Sequence, residues 1–135
     1  MIVLGIDPGS SKVGLAVVED TPERAYPTRC LEGRVSPSTG VREDIKELLV
    51  KWSPCISVLG DRTRHQGIVD ILQGLGAPFA MVDEHMTTRL ARDRYFGVNP
   101  PRGLKRLIPL GMQAPPVPVD DFAAWILAER YLVSR

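Results

Sequence analysis

A carboxylate at the end of an apolar run constrains this chain more than any other feature. Residues 2–6 have the length and branched-aliphatic content of a buried strand, and Asp7 follows them just before the Pro8-Gly9 break. A second apolar run, residues 13–18, begins at hairpin distance. An unpaired charge near the centre of a sheet costs several kcal/mol. Asp7 is therefore predicted either to bind a cation or to cap the turn through the Gly9 and Ser10 amides.

The spacing of apolar residues predicts an α/β fold with a mixed five-stranded sheet. Three antiparallel strands come first, and helices and strands then alternate before a final helix, which gives the order βββαβαβαα. The predicted strands are 2–6, 13–18, 29–35, 55–59 and 79–82, and the predicted helices are 41–52, 68–75, 87–96 and 120–132. Alternating strands and helices imply parallel crossovers, so we expect helices on both faces of the sheet. The length of 135 residues and the absence of repeats predict a single domain over residues 1–135.

Residues 97–119 depart from this compact pattern. They are rich in proline, and a long loop of this kind in a small domain is more often functional than inert. We expect an ordered, extended flap whose apolar side chains dock on the domain, namely Leu104, Leu107, Ile108, Leu110 and Met112.

Further acids follow the predicted strands. Glu84 follows the fifth strand, Asp61 follows the fourth, and Asp120 with Asp121 begins the last helix. Ligands collect beyond the carboxyl ends of parallel strands, so these acids are expected to form a negative pocket with Asp7. Repelling carboxylates without clustered His or Cys favour a divalent metal, Mg²⁺ or Mn²⁺. Two such ions can activate water and stabilise the leaving oxygen of a phosphodiester.

Several of these residues have alternative explanations. Asp61 is either a fourth ligand or a turn residue. Asp120 and Asp121 diverge by about 100° on a helix, so only one points into the site, and either acid is also a favourable helix cap. His85 is either a proton shuttle beside Glu84 or a surface residue.

Basic residues follow the acids along the chain. We expect them to hold a phosphate backbone around the acidic pocket, because Arg and Lys bind phosphate oxygens. The expected nucleic-acid-binding residues are Lys12, Arg62, Arg64, Arg89, Arg102, Lys105 and Arg106. Taken singly, Arg92 and Arg94 are explained equally well as solvated charges on the short helix. Aromatic residues do not interleave with these cations, which favours recognition of backbone shape over base sequence.

Charge and hydropathy narrow the function classes only slightly. The net charge of +1 neither indicates nor excludes nucleic acid. No apolar stretch approaches the roughly 20 residues that span a bilayer, so a cytoplasmic protein without membrane contact is expected. On the last helix, Phe122 and Ile126 share a side with Glu129 and Arg130, which predicts a contact with the flap or with another chain, as in a homodimer.

Three motifs resemble the RNase H-like nuclease superfamily, and most closely its RuvC and YqgF branch. The first strand with its turn resembles the opening of that branch, and two later stretches are similar to YqgF motifs. The matching stretches are Leu4-Gly5-Ile6-Asp7-Pro8-Gly9, Asp83-Glu84-His85-Met86-Thr87-Thr88 and Val119-Asp120-Asp121-Phe122-Ala123-Ala124. His85 stands where the family has Arg, and the family's Gly-Leu-Pro after the fourth strand is missing. The resemblance implies Asp7, Glu84 and Asp120 as catalytic, metal-binding acids.

The resemblance also implies a function. It indicates a divalent-metal-dependent nuclease of YqgF type, which acts in maturation of the 16S ribosomal RNA precursor. A RuvC-type resolvase of four-way DNA junctions, which requires a dimer, is the alternative nuclease. A catalytically silent nucleic-acid-binding domain is an alternative of another class. The expected partner is structured RNA or branched DNA. Sugar kinases, actin and Hsp70 chaperones open with a similar turn but close two such lobes around a nucleotide, which this length does not provide.

Overall fold

Five strands form one mixed sheet in the order β3-β2-β1-β4-β5, with β1 at its centre. The structure is a computed structural model that describes residues 1–61, 65–109 and 112–135. The strands are β1 (Ile2–Pro8), β2 (Lys12–Glu19), β3 (Arg29–Pro37), β4 (Ile56–Gly60) and β5 (Phe79–Val82). The first three are antiparallel, whereas β4 runs parallel to β1 and β5 runs parallel to β4. The predicted mixed sheet is confirmed, and because β1 is two residues longer than expected, Asp7 lies inside the strand.

Helices cover both faces of the sheet, as predicted. They are α1 (Val41–Trp52), α2 (Gln66–Gly74), α3 (Thr87–Val98) and α4 (Asp120–Val133). Leu4 and Ile6 of β1 belong to the core that includes residues of α1 and α2, and Val3 belongs to the core formed with α4. This division follows from the alternation of side chains along a strand. Within the described ranges, no helix is both long and apolar enough to cross a membrane.

Helix α4 lies very close to the central strand. Gly5 permits this approach, because a Cβ atom at that position would overlap the carbonyl oxygen of Ala124 and lie 3.0 Å from the Cβ atom of Ala128. The close packing fixes the height of α4 above the sheet. It thereby brings the first residue of α4, Asp120, over the end of β1 where Asp7 lies.

The apolar side of α4 that we expected to face another chain or the flap is covered by α3. Ile126 is only 4% exposed, and the Phe122 ring packs edge-on against Tyr95 of α3 at a centroid distance of 5.6 Å. The expectation was wrong, because the position of α3 on α4 cannot be read from the pattern of α4 alone. This surface therefore gives no support for a homodimer.

Arg94 fastens α3 to α4. Its side chain is 11% exposed, and its two terminal nitrogens donate to the two carboxylate oxygens of Glu129 at 2.9 and 2.8 Å. The guanidinium also lies over the rings of Tyr26 and Trp125, 4.2 and 4.7 Å from their centroids. A paired, stacked cation of this kind is structural, so the explanation of Arg94 as a solvated surface charge was wrong.

The flap differs from the expectation in its packing. It contains a short 3₁₀ helix, Gly103–Leu107, after α3 has extended to Val98. Leu104, Leu107 and Met112 are 83%, 76% and 79% exposed, and Ile108 is also exposed, so these side chains do not dock on the domain. Leu110 lies outside the described residues. The described apolar residues of this segment therefore face solvent.

Candidate active site

Asp7 occupies the centre of the site, between two strands that each present a glycine. Gly14 of β2 pairs with Asp7, and a Cβ atom at Gly14 would overlap the backbone carbonyl of Asp120. On the other side, Leu59 of β4 pairs with Ile6, so that Gly60 comes next to Asp7. A Cβ atom at Gly60 would overlap the carboxylate of Glu84. The two glycines therefore provide the space in which Asp120 and Glu84 approach Asp7.

The three acids interact electrostatically at this position. The pKa of Asp7 is raised from 3.8 to about 7, first by burial and then by the negative charges of Glu84 and Asp120. Burial disfavours the charged form of a carboxylate, and neighbouring carboxylates disfavour it further. Without a compensating cation, burial and these neighbouring charges therefore favour the protonated form of Asp7.

The loop that carries Glu84 is held at each of its carbonyl groups. We call residues 83–86 the Glu84 loop. The Arg130 guanidinium of α4 donates to the carbonyl oxygens of Asp83 and His85. The carbonyl oxygen of Glu84 accepts from the hydroxyl of Thr87 at 3.0 Å and from its backbone N–H at 3.2 Å. Helix α4 thus contributes Asp120 at its first turn and also fixes the loop that bears the neighbouring acid.

A cleft of about 620 Å³ opens beside these acids. Both acidic and basic side chains line it, and Pro115 of the flap forms part of its wall. The lining residues are Asp7, Pro8, Glu84, Met86, Thr87, Thr88, Arg89, Arg92, Pro115 and Val119. The Lys12 ammonium lies 3.8 Å from an Asp120 carboxylate oxygen, at the same edge of the sheet. The cleft therefore combines carboxylates with cations that suit phosphate oxygens.

The acids do not form a ready-made metal cage. Within residues 1–61, 65–109 and 112–135, no three His, Cys, Asp or Glu side chains are arranged to hold a metal ion. The donor set itself suits a hard divalent cation, because it consists of carboxylates whose repulsion such a cation relieves. The repulsion is expressed in the raised pKa of Asp7.

Two of the residues considered as additional site members lie outside the cleft. Asp61 is exposed, and its backbone N–H donates to the carbonyl of Val82 at 3.0 Å. His85 is also exposed, and its backbone N–H donates to the Asp83 carboxylate at 3.0 Å, as in a turn. Among the described residues that line the cleft, neither side chain is present.

Asp121 points to a different part of the molecule from Asp120. Its carboxylate lies against Gly33 of β3 and lines a separate cavity of about 280 Å³ together with Cys30 and Trp125. Burial raises the pKa of Asp121, and the charge of Asp120 raises it further. Of the two neighbouring acids, Asp120 is the one whose charge raises the pKa of Asp7. This geometry favours Asp120 over Asp121 as the site residue.

The expected nucleic-acid-binding residues separate into two groups. Arg89 lines the cleft and Lys12 lies beside Asp120, whereas Arg102, Lys105 and Arg106 are exposed on the flap. The remaining two, Arg62 and Arg64, lie outside the described residues.

Four residues that shape the site were not identified as site members from the sequence. Arg92 lines the cleft, and its position three residues after Arg89 on one helix face is a pattern that predicts a shared surface. Gly14, Gly60 and Arg130 act through contacts between distant segments. No local sequence pattern predicts those contacts.

Comparison with known proteins supports the fold. No protein-family model matches the chain, and no curated protein matches it. The structure is similar to Thermus thermophilus RuvC in complex with a Holliday junction substrate, with a TM-score of 0.62, 21% identity, and coverage of 98% of this chain and 93% of that one. It is also similar to the fowlpox virus Holliday junction resolvase, with a TM-score of 0.61, 12% identity and 99% coverage of both chains. The chain therefore has the RNase H-like fold of these resolvases.

Proposed function

We propose that this protein is a divalent-metal-dependent nuclease that hydrolyses phosphodiester bonds of nucleic acid. The observation that carries the proposal is the grouping of Asp7, Glu84 and Asp120 around the end of the central strand, where Glu84 and Asp120 raise the pKa of Asp7. The repulsion between these carboxylates destabilises their charged forms, and a bound divalent cation would offset it. Arg89 and Arg92 line the same cleft, and their suitability for phosphate oxygens supports a nucleic-acid substrate.

The three acids would hold Mg²⁺ or Mn²⁺, and we propose that two ions bind. When bound, these ions supply the activation of water and the stabilisation of the leaving oxygen. The closed hydrogen bonding of the Glu84 loop supports its role, because it keeps the backbone of this acid in one position before any ion binds.

The basic residues of the cleft would position the substrate. Arg89 and Arg92 line its wall and are suited to bind the phosphates that flank the scissile bond. Lys12 would give up its contact with Asp120 when a cation takes its place, and would then be free to bind a phosphate oxygen. His85 and Asp61 have no part in this proposal, because both side chains are exposed and the charges that raise the pKa of Asp7 are those of Glu84 and Asp120.

Two substrates have specific support. The sequence motifs around Glu84 and Asp120 resemble YqgF, which favours processing of precursor 16S ribosomal RNA in the cytoplasm. The structural similarity to RuvC bound to a Holliday junction favours cleavage of four-way DNA junctions. We infer the RNA substrate as the first candidate and the DNA junction as the second, for which a dimer would be needed to cut two strands.

The proposal is tested by offering labelled precursor rRNA, single-stranded RNA, duplex DNA and a four-way junction side by side, each with Mg²⁺, Mn²⁺ or EDTA. The wild type is expected to cut a structured RNA or the junction only with metal present. Glu84→Gln serves as the matched inactive variant, because it removes one charge at nearly constant volume. If the wild type cuts none of the substrates, or if Glu84→Gln cuts as well as the wild type, the proposal is wrong.

A further inference from the structure

The outer part of the flap presents apolar and basic side chains together to solvent. We call its described residues, 102–109 with Met112 and Gln113, the flap lobe. Its side chains Leu104, Leu107 and Met112 are all more than three-quarters exposed. The side-chain amide of Gln113 donates to the carbonyl oxygens of Lys105 and Ile108 at 2.8 and 2.9 Å.

Three large apolar side chains exposed on one short segment form a candidate binding surface. Exposed apolar surface costs roughly 25 cal/mol per Å², and such side chains are normally covered. The Gln113 amide ties the backbone of the lobe together through the carbonyls of Lys105 and Ile108. A partner that covers the lobe is therefore expected.

The charges of the lobe identify the chemistry of that partner. Arg102, Lys105 and Arg106 alternate with the exposed apolar residues, and within the described residues none of the three forms an ion pair. A second copy of the chain would bring a like-charged lobe to the same surface. A polyanion with accessible apolar surface satisfies both features.

We propose that the flap lobe binds nucleic acid at a branch point or distortion, with Arg102, Lys105 and Arg106 on phosphates and Leu104, Leu107 and Met112 against unstacked base faces. This deepens the proposed function and rests on it, because Pro115 connects the flap to the wall of the cleft. Apolar side chains such as Leu and Met can insert between bases, and the unstacking this requires costs about a few kcal/mol per step in regular duplex. Bases that are already unstacked at a branch point or bulge avoid that cost. The lobe is thus a determinant of substrate shape.

Binding measurements without cleavage test this directly. Fluorescence anisotropy in Ca²⁺ or EDTA compares a regular DNA duplex, the same duplex with an unpaired bulge, and a four-way junction, over a range of salt concentrations. The triple variant Leu104→Ser, Leu107→Ser, Met112→Ser removes the apolar groups and keeps the charges. The triple variant Arg102→Ala, Lys105→Ala, Arg106→Ala does the reverse. Val50→Ser is the control, because Val50 is exposed on α1, which packs on the other face of the sheet.

The apolar triple variant is expected to lose about tenfold or more of its preference for the bulge and junction, with duplex affinity and the salt slope unchanged. The cationic triple variant should bind all three nucleic acids more weakly, and its salt slope should fall by about one unit for each phosphate that is no longer neutralised. Val50→Ser should behave as the wild type.

Two results would overturn the proposal. One is an apolar triple variant that keeps the full preference for branched over regular nucleic acid. The other is a wild type that sediments as a dimer and an apolar triple variant that sediments as a monomer, which would assign the lobe to a second copy of the chain. Failure of the proposed function is distinguishable, because preferential binding without any metal-dependent cleavage would keep the lobe assignment and remove the nuclease.

Discussion

The Glu84 loop and the flap lobe are both irregular segments near the same cleft, yet they are held in opposite ways. All three carbonyl groups from Asp83 to His85 accept hydrogen bonds from Arg130 or Thr87. The flap lobe, in contrast, is closed mainly by its own Gln113 and leaves its apolar side chains in solvent.

The difference separates two requirements of the proposed reaction. A metal-binding acid must hold its position within a fraction of an ångström, and a network of hydrogen bonds from regular elements provides this. A surface that recognises the shape of a long substrate gains from being able to adjust, and loops with few contacts to the core provide that. Changes at the three acids should therefore affect the rate of cleavage, and changes in the flap lobe should affect the affinity for nucleic acid.

The largest effect is expected from the acid at the start of α4. Asp120→Asn should reduce cleavage by more than about a hundredfold, because loss of even an outer partner of a metal ligand costs about 10- to 100-fold. The N-cap of α4 is Val119 and no side chain caps that end, so Asn at position 120 removes no cap and the melting temperature should stay within a few degrees. Asp121→Asn is the matched control and should retain most activity, because its carboxylate faces the cavity near Cys30. The reverse ranking in a cleavage assay would transfer the role to Asp121.

A smaller effect is expected when the space for Glu84 is filled. Gly60→Ala introduces a methyl group where the Glu84 carboxylate lies, so the acid must move and cleavage should fall by about tenfold or more, as for other disturbed metal ligands. Gly67→Ala is the control, because a Cβ atom at Gly67 meets no atom of the described residues within 4 Å. On helix α2 that change should stabilise the protein by up to about 1 kcal/mol. Equal activity of the two variants would show that the position of Glu84 does not matter.

Replacement of Arg130, which holds the Glu84 loop through two carbonyl groups, should change the metal dependence more than the maximal rate. Arg130→Lys keeps the charge but cannot donate to two carbonyls at once in the same plane. We expect about a tenfold higher Mn²⁺ concentration for half-maximal cleavage, with the maximal rate largely recovered at saturating metal. Hydrogen exchange of the backbone amides in residues 84–87 should also become faster. Arg135→Lys is the control. If neither the Mn²⁺ dependence of cleavage nor the hydrogen exchange changes, Arg130 does not position the Glu84 loop.

The last prediction concerns stability without metal and involves no change in cleavage. The folded-state pKa of Asp7 is about 7, above its ordinary value of 3.8, so the folded protein binds the extra proton between these values. The contribution of Asp7 to stability is therefore present at pH 4 and is lost as the pH rises through 7, by up to about 4 kcal/mol. Asp7→Asn should remove this dependence. Urea unfolding in EDTA from pH 4 to 8 measures it, and parallel curves for the two proteins would contradict the burial and repulsion at Asp7.

Much of the fold could be predicted because its pattern is local. The apolar runs of β1 and β2 and the apolar stripe of α1 each follow the period of their element, and the structure confirms them. The grouping of Asp7, Glu84 and Asp120 followed from the rule that strand ends meet at one edge of a sheet.

The remaining features depend on how distant segments dock. Ile126 was expected at a surface because its helix alone does not show that α3 covers it. Leu104 and Leu107 were expected to dock because apolar residues usually do, but both are more than three-quarters exposed. Arg130 meets the Glu84 loop only after α4 and β5 have packed on the same sheet.

The central claim is that Asp7 holds a catalytic divalent cation, and one paired measurement tests it most directly. Mn²⁺ binding to the wild type and to Asp7→Asn is measured by titration calorimetry at a pH of about 6.5, just below the pKa of Asp7, and the same samples are assayed for cleavage of the preferred substrate. The wild type should bind Mn²⁺ with release of protons, because Asp7 is partly protonated without metal, and should cleave. The folded Asp7→Asn variant should do neither. A variant that binds Mn²⁺ and cleaves as well as the wild type would contradict the account.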